Sequence, residues 1–548
     1  MKRIVITFLL IALNASINAQ QVLVKQWDRR FGGANDEYFW ALKASFDGGC
    51  ILGGSSTSGV SGDKTQPCWG VEDYWVVKLD LAGNKEWDKR FGPIQGAALT
   101  VLQPAADGGY ILGGYSGGSI SGDKTEAGRG GFDYWVVKID ATGNKQWDKR
   151  FGGSGDDLLW CMANTKDGGY ILGGRSNSGL NGDKTEDNRD SNNFYSDYWV
   201  VKIDSTGLKQ WDKRFGGSDD DDLLSIQQTT DGGYILGGLS YSRTGGDKTQ
   251  DNWDTTNPLT PDYWVVKIDS VGHKEWDKRF GTITSDGVYT ILEMPNSGYI
   301  IFGGGGVGIN GDKTIEKGGW WVIKTDALGK KVSENVYAGQ AYGKSMVQTS
   351  DGGYLMSGDA LYLASMDSSI FDKTELNQGS QNTWVIKVDS NGLKQWDKTI
   401  FTTGADNNGL AIQTADGCYA VANTSKSGIG GYKTQAAWDS SYDYFIVKFC
   451  MDTVTAIDDR HETQDTRQIQ VYPNPFNSDL SIALKGENIQ EATFTITNAL
   501  GQVIYKREES NLSSNYTKML DLSYLPCGFY FIQVTANGES TVKRVVKE

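Results

Sequence analysis

The chain has 548 residues, with 53 Lys and Arg against 68 Asp and Glu, a formal charge of −15. Its 38% hydrophobic content and 18 Trp exclude a disordered chain, and 71 Gly against 9 Pro suits tight turns between short strands rather than collagen or a Pro-rich linker. An acidic balance with two His excludes charge-driven binding to nucleic acid or anionic lipid, and it excludes a His-centred triad or a multi-His zinc site.

Residues 1–19 read as a signal peptide. Lys2 and Arg3 precede an apolar run from Ile4 to Leu13, and Ala19 closes a small-residue cleavage site. The run is much shorter than the ~20 residues a membrane span needs, so the mature chain is expected to carry no transmembrane segment.

Residues 20–450 repeat with a period of about sixty. WDRRFGG at Trp27 returns as WDKRFG at Trp87, Trp147, Trp211 and Trp276, with a remnant at Trp396 and a degenerate copy near Lys331 to Tyr337. DGGYILGG starts at Asp107, Asp167 and Asp231, with variants at Asp47, Asn296, Asp351 and Asp416. GDKT elements surround Asp63, Asp123, Asp183, Asp247, Asp312, Asp372 and Tyr432, and DYWVVK-type strands begin at Asp73, Asp133, Asp197 and Asp262, more weakly at Trp320, Thr383 and Asp443.

Each unit reads as four strands: one leading into a tight Asp-Gly-Gly hairpin, its partner, a β-branched and aromatic strand apolar on both faces, and the half-exposed WDKRF strand. Four short strands per repeat fit a β-propeller blade. Seven DYWVVK-type strands are present, the last lacks a WDKRF strand after it, and the chain opens with an orphan one at Trp27. The expected fold is therefore all-β: a seven-bladed β-propeller closed by the N-terminal strand. The repeat resembles bacterial delta-60-type repeat proteins, a resemblance that implies a propeller-like architecture and no particular activity.

Six Cys lie without metal-like spacing, so buried, inert thiols and no disulfide are expected. The GDKT loop and the acidic connections at Asp36–Glu37, Asp156–Asp157 and Asp219–Asp222 should share one face, dotted with Lys64, Lys124, Lys184, Lys248 and Lys313. The alternative of a calcium-binding rim meets no DxDxDG spacing, so neither metal nor cofactor is expected. GDKT is read as structural, its Lys pairing with a neighbouring blade's carboxylate. The loop between second and third strands varies, and its Trp69, Arg129, Phe132, Tyr195, Trp253 and Trp438 are the candidate ligand-binding residues, for a glycan or a protein. No catalytic residue is assigned. A carboxylate-based carbohydrate hydrolase or lyase is the alternative, drawing on Asp219 to Asp222, Glu126 or Glu186.

Composition changes after Cys450: all 18 Trp precede it. Residues 451–470 read as a linker, and 471–548 as alternating strands of a small β-sandwich. Val471-Tyr472-Pro473-Asn474-Pro475-Phe476 at its start, Asn498-Ala499-Leu500-Gly501-Gln502-Val503, Leu525-Pro526-Cys527-Gly528-Phe529-Tyr530 and Lys543-Arg544-Val545-Val546 resemble, in order, the motifs of type A C-terminal sorting domains of the Bacteroidetes type IX secretion system. The resemblance implies that this machinery is a partner and that Pro473, Asn474, Pro475, Phe476, Gly501, Gly528, Tyr530, Lys543 and Arg544 form the sorting signal. It also implies a secreted or outer-membrane surface-attached protein, cleaved within the 451–470 linker.

Overall fold

The computed structural model describes residues 20–547 except 258, 296–297, 340, 362–370, 376, 378–380, 455–467, 475, 486–490, 499–502, 513–514, 527 and 537–538. The leader expected at 1–19 lies outside the described residues. Val22–Asp452 makes one compact unit, and the residues from Thr453 onward belong to another.

Among the described residues of the first unit, the strands form seven four-stranded sheets. Six span 37–91, 97–151, 157–215, 221–280, 287–337 and 341–400 with neighbours in chain order; the seventh joins 406–454 to the N-terminal strand Gln20–Phe31. The third sheet shows why the sequence does this. Asp157–Asn164 bulges between Leu159 and Cys161 and reverses at Asp167-Gly168-Gly169, where Gly168 has φ +81° and the Asp167 carboxylate accepts the Gly169 N–H at 3.0 Å. The strand Asp197–Ile203 is buried at every position. Its Trp199 and Val201 pack with Tyr134 and Val136 of the preceding sheet, while Tyr198 and Val200 pack with Trp264 and Val266 of the following one. A strand apolar on both faces is what packing between two sheets demands.

Successive sheets are also tied by Tyr hydroxyls donating to backbone carbonyls: Tyr134 to Trp199 at 2.9 Å and Tyr198 to Trp264 at 3.0 Å. The same bond runs from the seventh sheet to the first, Tyr444 to Trp75 at 3.1 Å, and one apolar cluster holds Phe39 and Trp75 together with Ala422 and Ile446. Within six of the seven sheets, an Asp of the outermost strand is a buried hub. In the fifth a partly buried Glu334 takes its place, accepting the Trp321 indole N–H at 2.6 Å. Asp148 accepts the Trp135 indole N–H at 3.0 Å and the Thr125 backbone N–H at 2.9 Å. In the seventh sheet Asp28 plays this part, accepting the Thr434 N–H at 2.8 Å across 406 residues of chain.

Cys418 and Cys450 form a disulfide, which corrects the expectation of free thiols throughout. Tyr419 pairs with Phe449 in the ladder, which places the two cysteines opposite each other with Cα atoms 4.4 Å apart. Only strand pairing makes them neighbours, and a separation of 32 residues conceals it. Cys50 and Cys161 are buried thiols and Cys68 is partly exposed; Cys527 lies outside the described residues.

The second unit has a three-stranded sheet of Gln468–Tyr472, Asp479–Lys485 and Asn515–Asp521, and a four-stranded sheet of Glu491–Asn498, Val503–Ser510, Gly528–Ala536 and Glu539–Lys547. Leu480 and Ile482 of one sheet share a core with Phe494, Ile496, Ile532 and Val534 of the other. The strand Asn515–Asp521 is an addition to the sequence reading: only Tyr516 and Leu520 turn inward, and Met519 is exposed, so its alternation is faint. Asp443–Val454 and Gln468–Tyr472 reach into both ends of the segment read as a linker, and 455–467 lies outside the described residues.

Candidate functional site

The repeated polar residues join one sheet to the next. Arg150 at the end of the second sheet pairs with Asp183 of the GDKT loop in the third at 2.5 Å; Arg30 pairs with Asp63 at 3.0 Å and Arg279 with Asp312 at 2.7 Å. Arg90 with Asp123 and Arg214 with Asp247 repeat the contact. Each of these Arg also lies near the Asp that opens its own sheet's DYW strand, as Arg90 Nε does at 3.5 Å from Asp73. The glycine after WDKRF makes room for that carboxylate: a Cβ on Gly92 would sit 1.8 Å from Asp73 Oδ1. Burial pushes the Asp133 and Asp197 carboxyls up to about 6 and those of Asp262 and Asp443 up to about 7.

The GDKT lysines are not on the surface, which corrects the expected pairing with a neighbour's carboxylate. Lys64, Lys124, Lys184, Lys248 and Lys313 are buried and donate to loop groups, as Lys184 does to Ser176 Oγ at 3.0 Å and to the Ser178 carbonyl at 2.7 Å. Burial lowers the Lys124 and Lys184 ammonium groups to about 8. Across the junction, the carboxylates find Arg instead.

Four of the six candidate ligand residues occupy one position in these junctions. The Trp438 ring lies 4.5 Å from the Arg30 guanidinium and its indole N–H donates to Asp63 at 3.2 Å; Trp253 repeats this on Arg279 at 4.5 Å and Asp312 at 2.9 Å. Trp69 covers Arg90 at 5.1 Å, and Arg129 reaches Asp183 at 3.1 Å. Arg189 on Asp247 at 2.9 Å and Lys317 on Asp372 at 3.1 Å belong to the same set and were missed, because loops of unequal length hide the correspondence. The outer faces of Trp69, Trp253 and Trp438 remain exposed. Tyr195 sits in its own loop, its ring 4.9 Å from Phe194 and its carbonyl accepting from Asn188. Phe132 alone points elsewhere, stacking edge-on with Tyr115 at 5.3 Å, which contacts Trp160 at 5.9 Å.

The acids considered for catalysis all have partners. Glu126 meets Lys149 at 3.1 Å, Glu186 meets Lys213 at 2.9 Å, and Asp222 meets Arg175 at 3.2 Å. Buried Asp221 accepts from Gly217 N–H and Ser242 Oγ. Asp416, Cys418 and Cys450 bring potential metal-ligand atoms together, but the two sulfurs are spent in the disulfide.

Trp160 belongs to a concavity that sequence reading did not single out. A cavity of about 440 Å³ is lined by the first strands of all seven sheets. Trp40, Trp160 and Tyr289 supply aromatic faces; Lys43, Gln103, Gln227, Glu293 and Lys344 supply polar groups. The wall is fixed by side chains bonding across sheets: Thr100 Oγ1 donates to the Leu159 carbonyl at 2.6 Å, Gln103 Nε2 to Met162 at 2.8 Å, and Glu293 N–H to Gln227 Oε1 at 2.7 Å. Burial lowers Lys43 and pushes the Tyr289 hydroxyl up to about 12. Tyr289 also lines a second cleft, about 320 Å³, between the fifth and sixth sheets with Ser285, Tyr342 and a run of glycines. The available signal was the failure of these positions to repeat.

In the second unit the sorting motifs meet. Asn474 follows Pro473, and its Oδ1 accepts the Val546 N–H at 2.9 Å; Phe476 N–H donates to the Val546 carbonyl at 2.9 Å and its ring enters the core. Gly528 and Tyr530 lie in Gly528–Ala536, with Tyr530 Oη donating to Pro526 at 2.7 Å. Lys543 and Arg544 pair with Ile532 and Phe531. The first and last motifs thus form one contact. Pro475 and Gly501 lie outside the described residues.

Residues 470–548 match the secretion system C-terminal sorting domain. The chain therefore carries an export tail and is secreted or attached to the cell surface. No helix among the described residues is long and apolar enough to cross a membrane. The chain is similar to the regulatory protein FlaEY of Caulobacter vibrioides, 24% identical over 222 residues that make up 38% of this chain. It spans only 22% of that relative's length. Among solved structures it is similar to streptogramin B lyase, with 11% identity, 78% of this chain and 98% of that one covered, and a TM-score of 0.40. A protein of unknown function from Bacteroides caccae aligns with 9% identity over 59% of this chain and 89% of its own, with a TM-score of 0.34. The described structure is all-β with repeated, propeller-like four-stranded sheets.

Proposed function

We propose that Val22–Asp452 is a seven-bladed β-propeller closed by its N-terminal strand, and that it serves as a binding or adhesion module for a polysaccharide or protein. The type IX secretion system of Bacteroidetes delivers it, with residues 471–548 as the signal that machinery reads. The observation that carries this reading is the single cavity walled by seven first strands, whose mouth residues differ from sheet to sheet while the junctions around them repeat. A rigid scaffold with a non-repeating concave face suits recognition. The open faces of Trp69, Trp253 and Trp438, with Arg129 and Tyr195, form the outer rim, and Phe132 leads toward the mouth.

The test is an array of polysaccharides and surface proteins probed with the full chain. Retention of a ligand whose mass is unchanged supports a binding module. Depolymerisation abolished by one Asp or Glu substitution would replace it with a carbohydrate-active enzyme. Removing residues 470–548 should leave the protein in the periplasm, as measured by fractionation.

A further inference from the structure

The cleft between the fifth and sixth sheets exists because side chains are missing. In the ladder of the fifth sheet Gly287 faces Gly304. The corresponding facing pairs elsewhere are Tyr38 with Ser55, Ala98 with Tyr115, Leu158 with Arg175, Asp222 with Leu239, Tyr342 with Asp359 and Asn407 with Thr424. Packing does not demand glycine at either place. A Cβ on Gly304 would approach nothing closer than the Tyr289 hydroxyl at 3.8 Å, and one on Gly287 would meet Leu239 at 3.5 Å, an ordinary contact. Gly303 differs: its Cβ would lie 2.1 Å from the Tyr263 hydroxyl. Gly303 serves the fold, whereas Gly287 and Gly304 leave about 320 Å³ open beside the central cavity.

The lining sets the chemistry. Gly304 to Gly306 and Gly319 form a floor of bare backbone, Ser285 adds a hydroxyl, and Tyr289 and Tyr342 are aromatic walls, with Tyr342 57% exposed. Among the described residues, no carboxylate, ammonium or guanidinium lines it. Flat rings beside backbone donors and acceptors suit a pyranose, which offers C–H faces to the rings and hydroxyls to the peptide groups. The volume falls within the roughly 300–1,000 Å³ of small-ligand sites. Tyr289 also lines the central cavity, where Trp40 and Trp160 lie, so a longer chain has further aromatic faces to follow.

We propose that this glycine-floored cleft binds a hexopyranose unit of a neutral oligosaccharide, with Tyr342 and Tyr289 as its stacking residues. The proposal rests on the binding-module reading and names the site and ligand class within it. The test is calorimetric titration of the full chain with cellohexaose, laminarihexaose and xylohexaose, followed by two variants. Gly304→Tyr introduces the residue the second sheet carries at Tyr115 and fills the cleft; Tyr342→Ala removes an exposed wall. At least one hexasaccharide should bind and be recovered intact, and each variant should weaken it tenfold or more without moving the melting temperature. Should either variant misfold, the other decides alone. Binding indifferent to both variants, or binding only of proteins or charged glycans on the array, overturns the cleft and leaves the module standing. An array on which nothing binds overturns both.

Discussion

The junctions among the first four sheets and the junction between the sixth and seventh solve one problem in two ways. In the former, an Arg at the end of one sheet meets an Asp of the next, with a Trp or Arg laid over the pair. In the latter, Thr399 stands in the Arg position and Tyr432 in the Asp position. Tyr432 packs its ring against Phe401 and Phe449 at 5.2 Å each, and Lys398 lies 5.6 Å from it. Both charges are gone together, so neither is left buried alone. Changing both partners avoids an orphaned buried charge, which costs more than the pair contributes. Gly287 and Gly304 also depart together, yet nothing fills the space they leave. The fifth sheet's departure leaves space open, whereas that of the sixth-to-seventh junction is filled by aromatic packing.

The largest effect expected is from removing Gln20–Phe31. That strand supplies the Asp28 hub of the seventh sheet, and without it the last sheet has an open edge. Heat or urea melting of Val22–Asp452 should lose cooperativity, and proteolysis should begin in 406–454. If the truncated chain melts as one unit, the strand is not what joins the ends. Next comes the junction itself. Arg90→Thr strands Asp123 and should cost about 3 kcal/mol, toward the lower end for a broken buried pair because Asp123 is partly exposed. Adding Asp123→Tyr, which imitates the sixth-to-seventh junction, should recover part of that loss. A double variant as unstable as the sum of the singles would mean that the two solutions are not interchangeable.

The fold was legible because its signals are periodic. Asp167-Gly168-Gly169 announces a hairpin, the doubly apolar Asp197–Ile203 announces a strand packed on both faces, and the orphan strand at Trp27 announces how the seventh sheet is completed. Contacts between different strands were less legible. The role of Lys184 was misread because a GDKT lysine beside acidic residues looks the same whether it faces solvent or its own loop carbonyls. Trp69, Arg129, Trp253 and Trp438 sit in loops that vary from unit to unit, yet Arg129, Trp253 and Trp438 bond to an Asp of the next sheet and Trp69 lies over the Arg that pairs with one. Trp40, Trp160 and Tyr342 belong to none of the repeated motifs, so periodicity carries no signal for them.

The disulfide sharpens the comparison from another side. The seventh sheet alone draws strands from both ends of the array, and Cys418–Cys450 cross-links two of them. Closing a loop of this length restricts the unfolded chain, and its loss should cost about 2–4 kcal/mol. Urea unfolding of Cys418→Ser, or of the native chain with a thiol reductant, should show that loss. An unchanged midpoint would mean the strand pairing already suffices.

The smallest effect concerns pH, and here the buried Lys and Asp groups act in opposite directions. The Lys124 and Lys184 ammonium groups are lowered to about 8 by burial, so between pH 8 and the ordinary lysine range the unfolded chain holds more protons than the folded one. Stability from these groups therefore rises as pH climbs through that window. The Asp133, Asp197 and Asp262 carboxyls are raised to between about 6 and 7, so their contribution is full below the ordinary carboxylate range and falls as pH rises through the folded values. Both sets are charged between about pH 7 and 8, where their burial is most unfavourable. Melting temperature should therefore rise slightly from pH 8 to 9.5, and Lys124→Met with Lys184→Met should reduce that slope, the remainder coming from Lys248, Lys373 and Lys433, which burial also lowers to about 8. A slope undiminished by both substitutions would show that Lys124 and Lys184 release no protons on folding and that their bonds to loop groups keep these two charged throughout.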